Sequence, residues 1–275
     1  KKIWINMNTF SEYNTTEKSA IKIFGDLWGS DNFVDAYSES GNAQLSRDNH
    51  RQVVLQDRLR SALEKLNPET PEEAIDLAVE EIAKDRSAMS LVRANQQVYK
   101  MLRDGVKVNI TNDKQEMETV TVKVIDFNNQ ENNDYLLVSQ MWITGQLHRR
   151  RPDLIGFVNG IPLVLLELKK ADISVRNAFD ENIRDYKDTI PQLFWYNAFI
   201  ILSNGIENKV GTLTSGYEHF NEWKKVDDEN EKGKGDLQTT LTGTCRPDRL
   251  LDIMENFTLF DESFGEPIKA VARMK

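Results

Sequence analysis

Two acidic side chains and one basic side chain lie at the ends of a short hairpin. Asp153 follows Pro152 at the head of one apolar run, and Glu167 and Lys169 close the next. The runs Asp153 to Val158 and Ile161 to Lys169 are separated by Asn159-Gly160, the strongest short-range hairpin signal. A spacing of two puts Glu167 and Lys169 on one strand face, with Leu166 and Leu168 on the other. Folding at Asn159-Gly160 sets Asp153 roughly opposite Leu166 and beside Glu167. Two carboxylates and one ammonium then converge at one end of a sheet. The stretch from Ile161 to Leu166 is continuously apolar, as in a strand buried on both faces. A Glu and a Lys at its end are partly desolvated and need partners. A divalent cation resolves the like-charge conflict, and hard oxygen ligands with retained waters suit Mg²⁺, with Mn²⁺ as a substitute. Such an ion lowers the pKa of a bound water and stabilises charge on a phosphate. Lys169 is placed to position that water and neutralise developing charge. The alternative is a plain salt bridge of Lys169 with Glu167 or Asp153 on a strand that emerges at the surface.

Basic residues cluster beside this hairpin. His148, Arg149, Arg150 and Arg151 run together, with Lys170 and Arg176 close behind. They are candidate contacts for DNA phosphates, the alternative being a solvated face. The chain as a whole is acidic: 275 residues, 44 Asp and Glu against 35 Lys and Arg, net charge −9. That argues against a generic nucleic-acid coat and leaves room for a local basic groove. With 39% hydrophobic residues the chain carries enough apolar material for a core. No run approaches the ~20 apolar residues of a membrane span, and Lys1 to Asn8 is too short and polar for a secretory signal. The single cysteine, Cys245, excludes a disulfide framework and lacks a His or Asp pattern for a nucleophile. A cytoplasmic setting is the default expectation. His50 and His219 have no metal-ligand spacing.

The elements that must position these residues change in period along the chain. Residues 1–104 read as a helical section. Asn14-Thr15-Thr16-Glu17 resembles a capping box before Ala20, Ile21, Phe24, Leu27 and Trp28. Residues 31–50 lack a period and are expected to be mostly loop. Further helices are expected over Leu55–Leu66, from Pro71, and from about Ala88 to Leu102. Residues 105–223 form a core of strands and one crossover helix. Val106 to Ile110, Val120 to Val124 and Tyr135 to Ile143 read as three strands joined by antiparallel turns. After the hairpin, a helix from about Val175 to Ile190 carries Val175, Phe179, Ile183, Tyr186 and Ile190 on one stripe. Ala198 to Ser203 is a short buried strand. Residues 224–275 hold a charged loop, expected to be mobile over 224–235, and a final helix from Pro247 to Phe260. The order of elements predicts an α/β (α+β) fold: a mixed sheet flanked by helices.

The stretch 151–170, Arg-Pro-Asp-Leu-Ile-Gly-Phe-Val-Asn-Gly-Ile-Pro-Leu-Val-Leu-Leu-Glu-Leu-Lys-Lys, resembles the PD-(D/E)XK nuclease core. More narrowly, it is similar to the N-terminal nuclease domain of the R (restriction and motor) subunit of type I restriction-modification enzymes. The resemblance continues through Ala178-Phe179, Tyr186 and the strand Phe199 to Gly205, and covers about residues 145–215. It implies that Asp153 and Glu167 bind the metal, with the Leu168 backbone carbonyl as a further ligand, and that Lys169 is the catalytic lysine. It also implies a role for a Gln-x-x-x-Tyr motif, represented by Asn182 and Tyr186. The two share a helix face, although Tyr186 also fits the apolar stripe. Many enzymes of this fold use a Glu from the first helix, for which Glu17 is the candidate beside its capping reading. The implied activity is Mg²⁺-dependent cleavage of double-stranded DNA in a complex with methylation and specificity subunits. ATP-driven translocation belongs to a motor in the full-length subunit. No G-x-x-x-x-G-K-[ST] occurs here, so the chain is expected to be an N-terminal portion without ATPase activity. Two other readings are a non-catalytic docking module with a degenerate nuclease fold and a repair or recombination nuclease of the same fold.

Overall fold

The computed structural model describes residues 15–111, 114–227, 233–263 and 265–272. Its centre is a six-stranded mixed sheet with helices packed around it. In spatial order it runs β1 (Phe33–Asp35), β4 (Tyr135–Ser139), β7 (Leu154–Val158), β8 (Ile161–Leu168), β9 (Phe199–Ser203), β10 (Asn208–Gly211). The pairs β1·β4 and β8·β9 are parallel, and β4·β7, β7·β8 and β9·β10 are antiparallel. Every residue of β4, β7, β8 and β9 is buried, so their apolar runs need no alternation. The parallel step from β8 to β9 requires a crossover, supplied by the helical segment between them. Between β4 and β7 the chain makes a small antiparallel ribbon of its own, β5 (Ile143–Thr144) against β6 (Arg149–Arg150).

The turn at Asn159-Gly160 has positive φ at both residues, +50° and +75°, as a two-residue hairpin demands. Asn159 uses its side chain fully: Nδ2 donates to the Val124 carbonyl at 2.8 Å, and Oδ1 accepts from the Asp134 amide at 2.7 Å. Gly160 accepts from the Leu55 amide at 2.8 Å, and a Cβ there would come within 2.5 Å of the Leu55 carbonyl oxygen. A bulge between Gly156 and Phe157 shifts the register, so Leu154 rather than Asp153 faces Leu166. The expected pairing is thus off by one residue at the site end. Gly156 is also where the Trp28 ring closes on the sheet: an added Cβ would meet Trp28 Cη2 at 2.7 Å.

The helices α1 (Thr15–Trp28), α3 (Gln56–Leu66), α4 (Glu72–Ala83) and α5 (Leu91–Asp104) follow the apolar periodicity. Asn14, the expected cap of α1, lies outside the described residues. Arg86 is buried and ends α4 by donating to the carbonyls of Glu81, Ile82 and Lys84. Residues 31–50 are mostly loop, with β1 and α2 (Glu39–Ala43) set within it. Two expectations change. The hairpin β2 (Val106–Thr111) and β3 (Met117–Val122) pair with each other, apart from β4, which joins the central sheet. The last helix, α9 (Pro247–Asn256), ends early, and β11 (Thr258–Asp261) pairs with β12 (Ile268–Val271). A helix unmarked in the sequence, α8 (Leu237–Cys245), packs on α1, where Trp28 Nε1 donates to the Cys245 carbonyl at 2.7 Å. Residues 228–232 of the expected mobile loop lie outside the described part.

Candidate functional site

Asp153 sits just before β7 and Glu167 near the end of β8, so the hairpin itself brings their carboxylates together. Asp153 Oδ2 accepts from the Leu168 amide at 2.7 Å, which stitches the two strand ends. Its Oδ1 accepts from Gln140 Nε2 at 3.3 Å. Glu167 is 2% exposed; Oε1 accepts from the Tyr186 hydroxyl at 3.3 Å, while Oε2 is buried without a hydrogen-bond partner. Burial, and next the charge of Asp153, raise the Glu167 carboxyl well above the usual range, against the pull of Lys169. Burial likewise raises Asp153, against the hydrogen bonds from Leu168 and Gln140. Two acids forced together with one orphaned oxygen make a pocket short of a positive charge.

The crossover supplies the rest. It begins as α6 (Val175–Asn177), widens into a π turn over Ala178–Ile183, and ends as α7 (Arg184–Thr189). The expected single helix therefore carries an extra residue, with the Arg184 amide bonding to the Phe179 carbonyl. Asn182 lies in that turn. Its Oδ1 accepts from Lys169 Nζ at 2.6 Å, and its Nδ2 donates to the Tyr186 hydroxyl at 3.3 Å. A continuous line of hydrogen bonds thus runs from Lys169 through Asn182 and Tyr186 to Glu167. Tyr186 is buried in the apolar stripe and also bonded through its hydroxyl. Lys169 lies one residue past β8, with Glu181 Oε2 3.7 Å from its Nζ.

Glu17 of α1 is buried, and its Oε1 accepts from Gln140 Nε2 at 2.8 Å. Burial, with the charges of Asp153 and Asp35, raises its carboxyl to about 8. Gln140 therefore joins Glu17 to Asp153. It adopts a φ of +53°, and its amide donates to the Asp153 carbonyl at 2.9 Å. Nothing in its spacing marks it, because it turns a corner after β4 rather than extending a pattern.

The basic run divides. Arg150 is held bidentately by Asp185, with Nη2 to Oδ1 at 2.8 Å and Nε to Oδ2 closer. Arg176 pairs with Asp180 at 3.0 Å. His148, Arg149 and Lys170 are exposed, and Arg151 is half-buried. Among the described residues no group of three or more His, Cys, Asp or Glu is arranged to hold a metal ion. The available set is smaller: the carboxylates of Asp153 and Glu167 and the peptide at Leu168. Glu167 Oε2, buried and unpartnered beside a second acid, fits a divalent cation that keeps several of its own waters.

Residues 9–239 match the family model described as the type I restriction enzyme R protein N terminus. The endonuclease subunit of the type I restriction enzyme HindI from Haemophilus influenzae is 40% identical over 230 residues, 80% of this chain and 21% of the relative. The putative MjaIXP endonuclease subunit of Methanocaldococcus jannaschii is 29% identical over 239 residues, covering 78% of this chain and 23% of the relative. The EcoprrI endonuclease subunit of Escherichia coli is 28% identical over 150 residues, 52% of this chain and 47% of the relative. The chain spans less than half the length of each of these relatives.

Proposed function

The chain belongs to the family of type I restriction enzyme R protein N termini, and from that premise we propose that it is a DNA endonuclease domain. Its reaction is hydrolysis of phosphodiesters in double-stranded DNA, with Mg²⁺ held by Asp153, Glu167 and the Leu168 carbonyl. The observation that carries this reading is the buried, unpartnered Glu167 Oε2 beside Asp153. Without a cation it is a cost; with one it is a ligand. The bound cation would supply Lewis acidity, activating water and stabilising charge on the phosphate.

The chain's own residues do the remainder. Lys169 presents a fixed positive charge to the phosphate, because the Asn182 carboxamide at 2.6 Å holds its ammonium in one place. Tyr186 fixes Glu167 Oε1 and leaves Oε2 free for a cation. Asp153 is braced by the Leu168 amide and by Gln140. The shorter Asn in place of Gln keeps the network intact, which favours a working site over a degenerate docking module. Sequence choice and ATP-driven translocation fall to other parts of the complete assembly: specificity and methylation subunits and a motor. Among the described residues no helix is long and apolar enough to cross a membrane, and we place the assembly in the cytoplasm with its DNA.

The test is substitution in the assembled enzyme. Asp153→Ala, Glu167→Ala and Lys169→Ala should each abolish cleavage and leave ATP-driven translocation. Normal cutting by all three variants would refute the assignment.

A further inference from the structure

We propose that Arg149 and Arg151, braced on the rings of Trp142 and Tyr37 and backed by Arg47, form a clamp for the DNA backbone beside the candidate nuclease site. Arg149 stacks over Trp142 with its guanidinium carbon 4.1 Å from the ring centroid. Arg151 lies 5.1 Å from the same ring and 4.6 Å from that of Tyr37. A guanidinium held over a ring face spends none of its N–H donors on that contact and loses side-chain freedom in advance. Arg47 stands behind them. Its Nη1 donates to the carbonyls of Gln52 and Trp142, at 3.0 and 3.1 Å, and its Nη2 to Asn42 Oδ1. Its Nε is buried without a partner.

What sets these three apart from Arg150 and Arg176 is the lack of a close ion pair, Arg151 feeling Asp153 and Glu17 only at longer range. None forms an ion pair with a described carboxylate, whereas Arg150 and Arg176 of the same basic stretch each have one. In a chain of net charge −9, acids to neutralise them were available. Arg47 carries its charge in a largely desolvated place close to Arg149, and both effects depress its pKa, to about 10. Gathering like charges this way is unfavourable unless a ligand brings the anions.

Geometry selects the ligand. Arg149 and Arg151 are two apart at an extended edge, so they share a side while Arg150 turns away to Asp185. Along an extended backbone their Cα atoms stand about 6.7 Å apart. Arg151 is two residues from Asp153, and its charge is felt by both Asp153 and Glu17. A DNA strand lying along the clamp therefore continues into the site. The inference rests on the nuclease reading and names the part of that surface that grips substrate.

The experiment is duplex binding by this chain, with Ca²⁺ in place of Mg²⁺, across a salt series, alongside a cleavage assay of the assembled enzyme. The double variant Arg149→Gln/Arg151→Gln should lower the slope of log affinity against log salt by about 1.8, roughly 0.9 for each phosphate no longer neutralised. Affinity at ~100 mM salt should fall at least tenfold. The Arg150→Gln variant should keep the wild-type slope. Mn²⁺-induced thermal stabilisation of the double variant should match wild type, showing the carboxylate site intact. An unchanged slope and affinity in the double variant, with wild type binding and cutting DNA, would overturn the clamp alone. Absence of both binding and cutting in wild type would overturn the clamp and the nuclease reading together.

Discussion

Glu167 keeps one carboxylate oxygen bonded to Tyr186 and the other buried without a partner. Its pKa is raised in the folded chain, so the folded state holds a proton that the unfolded state releases from about pH 4.3 upward. Stability of the metal-free protein is therefore lost as pH climbs through that window. Glu167→Gln removes the effect. The variant should melt higher than wild type at pH 8 without metal, with the gap shrinking on acidification. Added Mn²⁺ should raise the melting temperature of wild type and leave the variant unmoved. A variant that melts lower at pH 8 would contradict this account. The main site residues are legible because they lie within one stretch, 153–186, where turn chemistry and strand and helix periods place them. Gln140 and Arg47 are not legible. They reach their partners across gaps of 13 and 95 residues, to Asp153 and Trp142, and no local period encodes such a meeting.

At the level of elements, the Asn159-Gly160 turn is the clearest signal in the chain. Gly160→Ala tests how firmly it holds the hairpin. The φ of +75° alone should cost about 1–2 kcal/mol, and the contact with Leu55 adds to it. Urea denaturation should show a loss of at least that size. The bulge at Gly156 is hidden, since an unpaired residue in a buried apolar run leaves the composition unchanged. β1 is hidden because three half-buried residues carry too little pattern. The end of α9 escapes the pattern because Phe257 and Phe260 continue the helical spacing while the backbone extends. The π turn leaves almost no trace: the stripe Val175, Phe179, Ile183, Tyr186, Ile190 steps by four, four, three and four, close to the about 3.6 of an ordinary helix.

Across the whole molecule, the mixed α/β class follows from the order of strands and helices, whereas long-range seams do not. One such seam is set by Lys269 of β12. It is 2% exposed and donates to Asn95 Oδ1 at 3.0 Å and to the Asn197 carbonyl at 2.7 Å. Burial lowers its pKa to about 7. An unfolded lysine stays protonated to about pH 10.4, so between these values the unfolded state holds the extra proton. Stability from this group is complete above that window and lost as pH falls to about 7. Relative to Lys269→Met, wild type should gain up to about 1.4 kcal/mol per pH unit between pH 7 and 9. Parallel urea midpoints for the two proteins would contradict this.

The Lys269 contact also has a mechanical side. Asn197 leads into β9, and β9 is zipped to β8 from Val164 to Leu168, the segment that carries Glu167. Tension on β12 would meet the Lys269 anchor and pass through Asn197 to the strand that flanks Glu167.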